Sequence, residues 1–219
     1  MANPSVPVQV RNLNSIMGIL GTTAASFWPF TESEGVTVDG MTLSAPLIPS
    51  ETSAAAEALE DDFSPMIHPG GVHSYMFNPT GDHHLAGPDH ANFSFASGGF
   101  SVGAYIVPNE INNNTIMAKY DSAGGKEEWR FFLDAQGNVA LELHDASASA
   151  SEIQDSDTAL TRGVGRFVAA TYDGVDATPT ILTYIDGIVD NVALGSTEAG
   201  SFVAMEAGTA PLTIGCAGV

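Results

Sequence analysis

Residues 100–186 decide the fold, and they read FSVGAYIV (100–107), TIMAKY (115–120), EWRFFLD (128–134), NVALELH (138–144), RFVAATYD (166–173) and TILTYID (180–186). Each segment is rich in β-branched and aromatic residues, and Gly-containing turns such as Asp186-Gly187 close several of them. Strands this closely spaced leave no room for crossover helices, so they must pair antiparallel. Two facing antiparallel sheets would bury the apolar faces, which predicts a β-sandwich.

Alternation along the strands supports this prediction. In NVALELH one side of the strand carries Val139, Leu141 and Leu143. The other side carries Ala140, Glu142 and His144. In TILTYID both sides are partly apolar, so the core side holds either Ile181, Thr183 and Ile185 or Leu182 and Tyr184.

The remaining segments are less regular. We predict an extended N-terminal arm over residues 1–20 and one sandwich domain over residues 21–219, with an early strand at about 25–31. Gly and Pro punctuate an insertion over 31–72, in which SETSAAAEALEDD (50–62) is the one credible helix. The small and polar residues of ASASASEIQDSDTALT (146–161) predict a surface loop.

Charge and targeting signals restrict the partners. The chain has 26 acidic and six basic residues and a net charge of −20, so it repels phosphate backbones and anionic lipids, and we expect neither nucleic acid nor a membrane as partner. Cys216 is the single cysteine, which rules out an intrachain disulfide. The N-terminus MANPSVPVQVRN lacks the pattern of a Sec signal, so we expect synthesis in the cytoplasm.

Several segments together resemble a known family. They are FWPFTESEG (27–35), YMFNPTGDHHLAGPD (75–89), FSVGAYIVP (100–108), the hairpin region 115–143, RFVAATYDG (166–174), TYIDGIVD (183–190) and LTIGCAG (212–218). In order and spacing they resemble the concanavalin A-like lectin/glucanase superfamily, most closely laminin-G-like domains of the bacterial and phage type. The resemblance implies an all-β, antiparallel jelly-roll sandwich, here with one short helix in the early insertion.

One departure from the family pattern concerns the sheet edge. Members continue past the LTIG-type strand into a further strand that closes the sheet, whereas this sequence stops at Val219. Either the closing strand is absent, or the arm at 1–20 replaces it, or a neighbouring chain supplies it by strand addition. Because an open edge promotes aggregation, we expect a partner to cover it, and we expect a homo-oligomer.

The sequence does not carry the family's catalytic pattern. Glucanases of this superfamily place Glu-x-Asp-x-Glu on one strand face, where one carboxylate can attack and another can donate a proton. The nearest pairs here are Glu142 with His144 and Glu152 with Asp155, and neither reproduces the set. We therefore predict a protein that is not an enzyme.

Three groups of residues are candidates for ligand binding. The densest group of metal-ligand types is Asp82, His84, Asp89 and His90, with polar strand ends as the alternative interpretation. Calcium is the cofactor that loop carboxylates of such modules would bind, and the candidates are Asp121, Asp173, Asp176, Asp186 and Asp190. The aromatic side chains that could stack on sugar rings are Trp28, Trp129, Tyr172 and Tyr184, with core packing as the alternative.

Two functions follow from these features. The first is a non-enzymatic structural or binding module on the virion surface of a tailed phage, such as a capsid decoration or head/tail protein, with other virion proteins as partners. The resemblance, the arm and the unclosed edge favour this hypothesis. The alternative is a glycan-binding, lectin-like module that uses loop carboxylates and one exposed aromatic side chain, either with or without calcium.

Overall fold

The computed structural model describes residues 84–175, 180–191 and 197–217, together with residue 77 and three two-residue strands. These strands are β1 (Ser26–Phe27), β2 (Met41–Thr42) and β3 (Ile48–Pro49), of which β1 and β2 pair antiparallel. The chain divides into two compact units, Met1–His83 and His84–Val219. The predicted arm, the helix at 50–62, the domain boundary at residue 20 and the covered edge lie outside the described residues.

The second unit contains the strands predicted from residues 100–186 together with further strands. They are β4 (Leu85–Gly87), β5 (Phe100–Ile106), β6 (Thr115–Lys119), β7 (Trp129–Leu133), β8 (Asn138–Asp145), β9 (Ala150–Ala159), β10 (Arg166–Tyr172), β11 (Ile181–Ile185), β12 (Ile188–Val189), β13 (Thr197–Ala199) and β14 (Leu212–Ile214). One 3-10 turn, Ala91–Phe93, follows β4. In the described part of the chain no helix is long and apolar enough to cross a membrane.

Two antiparallel sheets form this unit. The small sheet has the strand order β12-β11-β10-β5, and the large sheet has the order β13-β9-β8-β7-β6-β14-β4 within the unit. The sheets face each other through Phe100 of β5 and Trp129 of β7, whose ring centroids are 5.5 Å apart. This arrangement confirms the predicted antiparallel β-sandwich.

Alternation decides which side chains enter the core. Val139, Leu141 and Leu143 of β8 are fully buried, as predicted. In β11 the buried residues include Ile181 and Thr183, which confirms the first of the two alternatives for that strand. Tyr184 therefore lies on the opposite face, away from the large sheet.

The prediction of a surface loop over 146–161 was wrong. Strand β9 occupies Ala150–Ala159 and pairs with both β8 and β13. Its buried side carries alternating small or polar residues, Ala150, Glu152, Gln154 and Ser156. Buried and exposed positions alternate along β9, but the buried positions carry no large apolar side chains. The sequence therefore lacks the hydrophobic alternation from which a strand is usually predicted. The buried Ser156 hydroxyl is hydrogen-bonded, which offsets the cost of burying it: its Oγ accepts from Val139 N at 2.8 Å and donates to Thr158 O.

Candidate functional site

Two of the four aromatic candidates belong to the core, which corrects their assignment as ligand-binding residues. Trp129 is 2% exposed, and its Nε1 donates to Phe93 O at 3.0 Å. Tyr172 is 3% exposed and packs edge-on against Phe100. Their strand positions place both rings between the sheets. Trp28 lies outside the described residues, and Tyr184 is half-buried on the outer face of the small sheet.

Two of the three described members of the predicted metal group, Asp89 and His90, have structural roles, and His84 stays a prediction. Asp89 Oδ1 lies 2.8 Å from Nζ of Lys119, a buried cation that also contacts Glu128. His90 Nδ1 accepts from Asn92 N and caps the 3-10 turn. Asp82 lies outside the described residues. Within residues 84–175, 180–191 and 197–217, no three His, Cys, Asp or Glu side chains form a group that could hold a metal ion.

The predicted calcium ligands cap turns or link strands where they are described. Asp121 accepts from Gly124 N, Asp173 accepts from the backbone of Val175 and Thr180, and Asp190 accepts from Thr158 N. Asp186 pairs with Arg166, and Asp176 lies outside the described residues. Turn capping accounts for these positions, and calcium stays a prediction.

The chemically richest group lies on the face of the large sheet that is turned away from the small sheet. We call this surface the far face. The register of β7 with β8 sets Arg130 opposite Glu142 and Phe132 opposite Ala140. His144 follows two positions after Glu142 on the same side, and Tyr120 follows β6 beside them. These five residues, Tyr120, Arg130, Phe132, Glu142 and His144, form the far-face cluster.

One carboxylate oxygen organises the far-face cluster. Arg130 donates to Glu142 Oε2 from Nε at 3.1 Å and from Nη2 at 2.8 Å. Nε2 of His144 lies 3.3 Å from the same oxygen without hydrogen-bond alignment. The guanidinium also lies over the Phe132 ring, 3.9 Å from its centroid, so it is stacked and paired at once.

Partial burial makes this pairing strong. The side chains of Arg130, Glu142 and His144 are 19%, 11% and 14% exposed, so they are packed but still reach solvent. Burial alone would raise the pKa of Glu142, but His144 and Arg130 outweigh it and lower the pKa below its ordinary value. Glu142 is therefore held as a carboxylate at neutral pH.

Neighbouring groups respond in the opposite direction. Burial, followed by the charge of Glu142, raises the pKa of Tyr120. Burial, followed by the charges of Asp134 and Glu142, raises the pKa of Asp155, which follows β9 on the far face. The far face thus carries one carboxylate stabilised in its ionised form and a second whose ionised form is disfavoured.

The sequence indicates only part of this cluster. Alternation predicts that Glu142 and His144 share a strand face, but Arg130, Phe132 and Tyr120 were not predicted. The signal available was the alternation in EWRFFLD, which puts Arg130 and Phe132 on one face. Their pairing with Glu142 depends on the hairpin register, which the sequence leaves open.

Comparison with known proteins now defines the class. The family described as the concanavalin A-like lectin/glucanases superfamily, in its laminin-G-like form, matches residues 79–218. This match covers more than half of the chain, and the chain belongs to that superfamily. The resemblance inferred from the sequence is confirmed.

Individual proteins give a weaker comparison. A solved structure of domain 4 of AbnA, a GH43 extracellular arabinanase from Geobacillus stearothermophilus, in complex with arabinotriose, is 16% identical with a TM-score of 0.43. The similarity covers 69% of this chain and 70% of that one. No curated protein matches the chain.

Proposed function

We propose that this protein is a non-enzymatic glycan-binding module whose ligand contacts the far face of the large sheet. Membership of a superfamily of lectins and glucanases supports a carbohydrate ligand, and laminin-G-like domains are typically without catalytic activity. Neither the family nor the described structure favours the virion role expected from the sequence, so the alternative is preferred. The observation that carries the proposal is the Arg130–Glu142 pair, set between the rings of Phe132 and Tyr120.

This arrangement combines hydrogen-bonding groups with apolar ring surface, and a sugar ligand can use both. Sugar hydroxyls both donate and accept hydrogen bonds, and the pair offers a guanidinium donor next to a carboxylate acceptor. Both Arg130 hydrogen bonds go to Oε2 of Glu142, which directs the second oxygen, Oε1, toward an incoming hydroxyl in our proposal. Tyr120, which is half-buried, supplies apolar ring surface for the C–H groups of the sugar, whereas Phe132 is 3% exposed and only supports the guanidinium.

Pre-organisation also supports the proposal. Arg130 is fixed by two hydrogen bonds and by the Phe132 ring, so little side-chain freedom remains to be lost when a ligand binds. Small-molecule sites have a few fixed polar groups among apolar ones, and the far-face cluster has this composition.

The test is a glycan array followed by calorimetry on Arg130→Lys and its matched control Arg162→Lys. Arg162 is exposed in the turn between β9 and β10, so its replacement makes the same chemical change off the site. We expect saturable binding of at least one glycan, a loss of about tenfold in affinity for Arg130→Lys and no change for Arg162→Lys. Unchanged affinity in a folded Arg130→Lys protein would contradict the far face as the site.

A further inference from the structure

We propose a second glycan-contacting surface on the outer face of the small sheet, formed by Tyr105, Phe167 and Tyr184 and called here the ring platform. It rests on the proposed function and deepens it, because it names the ligand class: an uncharged polysaccharide that lies flat on the sheet. The platform shares no residue with the far-face cluster.

Strand register places the three rings on one face. Tyr105 of β5 is the direct partner of Phe167 of β10, and two positions along, Gly103 pairs with Ala169, which pairs with Tyr184 of β11. Residues two apart on a strand share a face, so Phe167 and Ala169 point outward together. The intervening Val168 and Ala170 are fully buried and point to the core.

The two exposed rings, those of Tyr105 and Phe167, lie over glycines. A Cβ built on Gly103 would stand 3.3 Å from Cζ of Phe167, so that ring leans over the backbone of β5. A Cβ built on Gly165 would collide with the Tyr105 hydroxyl, so the Tyr105 ring leans toward the start of β10. Because the glycines lack side chains, each ring can lie down on the sheet and present its opposite face to solvent.

Exposure sets these rings apart from core aromatics. Tyr105 is 41% exposed and Phe167 is 46% exposed, and Val189, the strand partner of Tyr184, is 40% exposed. Single exposed apolar residues need no explanation, but a contiguous group on one sheet face marks an interaction surface.

Charge identifies the occupant. Arg166, at the border of the platform, pairs with Asp186 at 2.6 Å, so its positive charge is already balanced. A net charge of −20 disfavours sulfated or uronic glycans, and it also disfavours a second copy of the same chain. An uncharged polysaccharide avoids this repulsion, and its C–H faces match flat aromatic rings with a low floor of Gly103 and Ala169 between them.

The test measures retention of the intact protein on insoluble neutral polysaccharides by depletion assay, with sulfated and uronic polymers in parallel. The variants are Phe167→Ala, Tyr105→Ala and Phe167→Tyr, and the matched control is Val203→Ala, at a residue that is 59% exposed outside the platform. We expect each alanine variant on the platform to weaken binding about two- to tenfold, whereas Phe167→Tyr and Val203→Ala bind as the wild type. The charged polymers should be retained less than the neutral ones.

The outcomes separate this inference from the proposed function. Unchanged retention of both folded alanine variants overturns the ring platform, and a simultaneous loss in Arg130→Lys would leave the far-face proposal standing. The reverse pattern supports the platform and removes the far face. Absence of binding to every glycan overturns both. A wild-type dimer that Phe167→Ala converts to a monomer, with polysaccharide retention unchanged, would identify a second copy as the occupant and overturn the inference.

Discussion

The two outward faces of this sandwich differ in how far their side chains are exposed to solvent. On the far face of the large sheet, polar groups are drawn together: the Arg130 side chain is 19% exposed and that of Glu142 is 11% exposed, and both are in mutual contact. On the outer face of the small sheet, Tyr105 and Phe167 remain more than 40% exposed. The far face carries a group of paired charges, and the outer face of the small sheet carries exposed rings that lie over glycines.

This difference predicts that mutations on the two faces have different effects on stability and on ligand binding. Charges that have been taken out of water depend on their partners, so removing one partner should weaken the fold as well as any ligand contact. Exposed rings bury little additional area when the chain folds, so their removal should affect ligand contact and leave stability nearly intact. The far face should therefore respond to mutation in two assays and the ring platform in one.

The largest expected effect is that of Arg130→Ala on stability. The substitution removes two hydrogen bonds to the Glu142 carboxylate and the stacking on Phe132, and it leaves a partly buried carboxylate without its hydrogen-bonded cation. Fully buried pairs lose more, and the 11–19% exposure of this one reduces the cost to about 2–3 kcal/mol. Urea unfolding at pH 7 measures the change in the free energy of unfolding.

The pH dependence of the stability loss in Arg130→Ala tests whether the charge pair causes it. Because the pKa of Glu142 is lowered in the folded protein, the stability that the pair contributes is present above the unfolded carboxylate pKa and is lost as the pH falls through the folded pKa. The cost of Arg130→Ala should therefore shrink between pH 7 and pH 3. An equal cost at both pH values would mean that packing on Phe132, rather than the charge pair, stabilises the far face.

The sequence predicted relative positions better than absolute ones. In RFVAATYD, alternation correctly puts Phe167 and Tyr172 on opposite faces, because five positions separate them. Both faces of β10 are partly apolar, however, so the sequence alone could not tell which ring enters the core. Tyr172, predicted as a candidate for sugar stacking, is 3% exposed, whereas Phe167, which the pattern does not single out, is 46% exposed.

The Arg130–Glu142 pair shows a second limit. Each residue's strand face could be predicted, but their direct opposition depends on the turn between β7 and β8. There Asp134 Oδ1 accepts from Gln136 N and Asn138 N, and Gly137 adopts a φ of 93°. A shift of one residue would have moved Glu142 away from Arg130, so the site depends on turn geometry that strand patterns do not contain.

A smaller effect, of the opposite sign, is expected for Asp155→Asn on the far face. Burial, then Asp134 and Glu142, raises the pKa of Asp155, so any stability that its protonated form contributes is lost as the pH rises through the folded pKa. At pH 7 the carboxylate is disfavoured, and a neutral amide should stabilise the protein by about 0.5–1 kcal/mol.

Thermal or urea unfolding at pH 7 and pH 3 tests this prediction, with Glu110→Gln as the control for removing one negative charge from an exposed position. The gain of Asp155→Asn should be largest at pH 7 and nearly absent at pH 3. Equal gains for both variants would show that overall negative charge, rather than burial of Asp155 and its repulsion by Asp134 and Glu142, accounts for the effect.

The smallest expected effect is that of Phe167→Ala on stability. It tests whether the ring platform contributes little to the stability of the fold. The ring is 46% exposed, its strand partner is Tyr105, and its Cζ lies close to the Gly103 backbone. Exposed cross-strand pairs contribute a few tenths of a kcal/mol, so the free energy of unfolding should fall by no more than about 0.5 kcal/mol. A loss above about 2 kcal/mol would mean that the ring is part of the hydrophobic core, and the division between a face that stabilises the fold and a face that only binds would then fail.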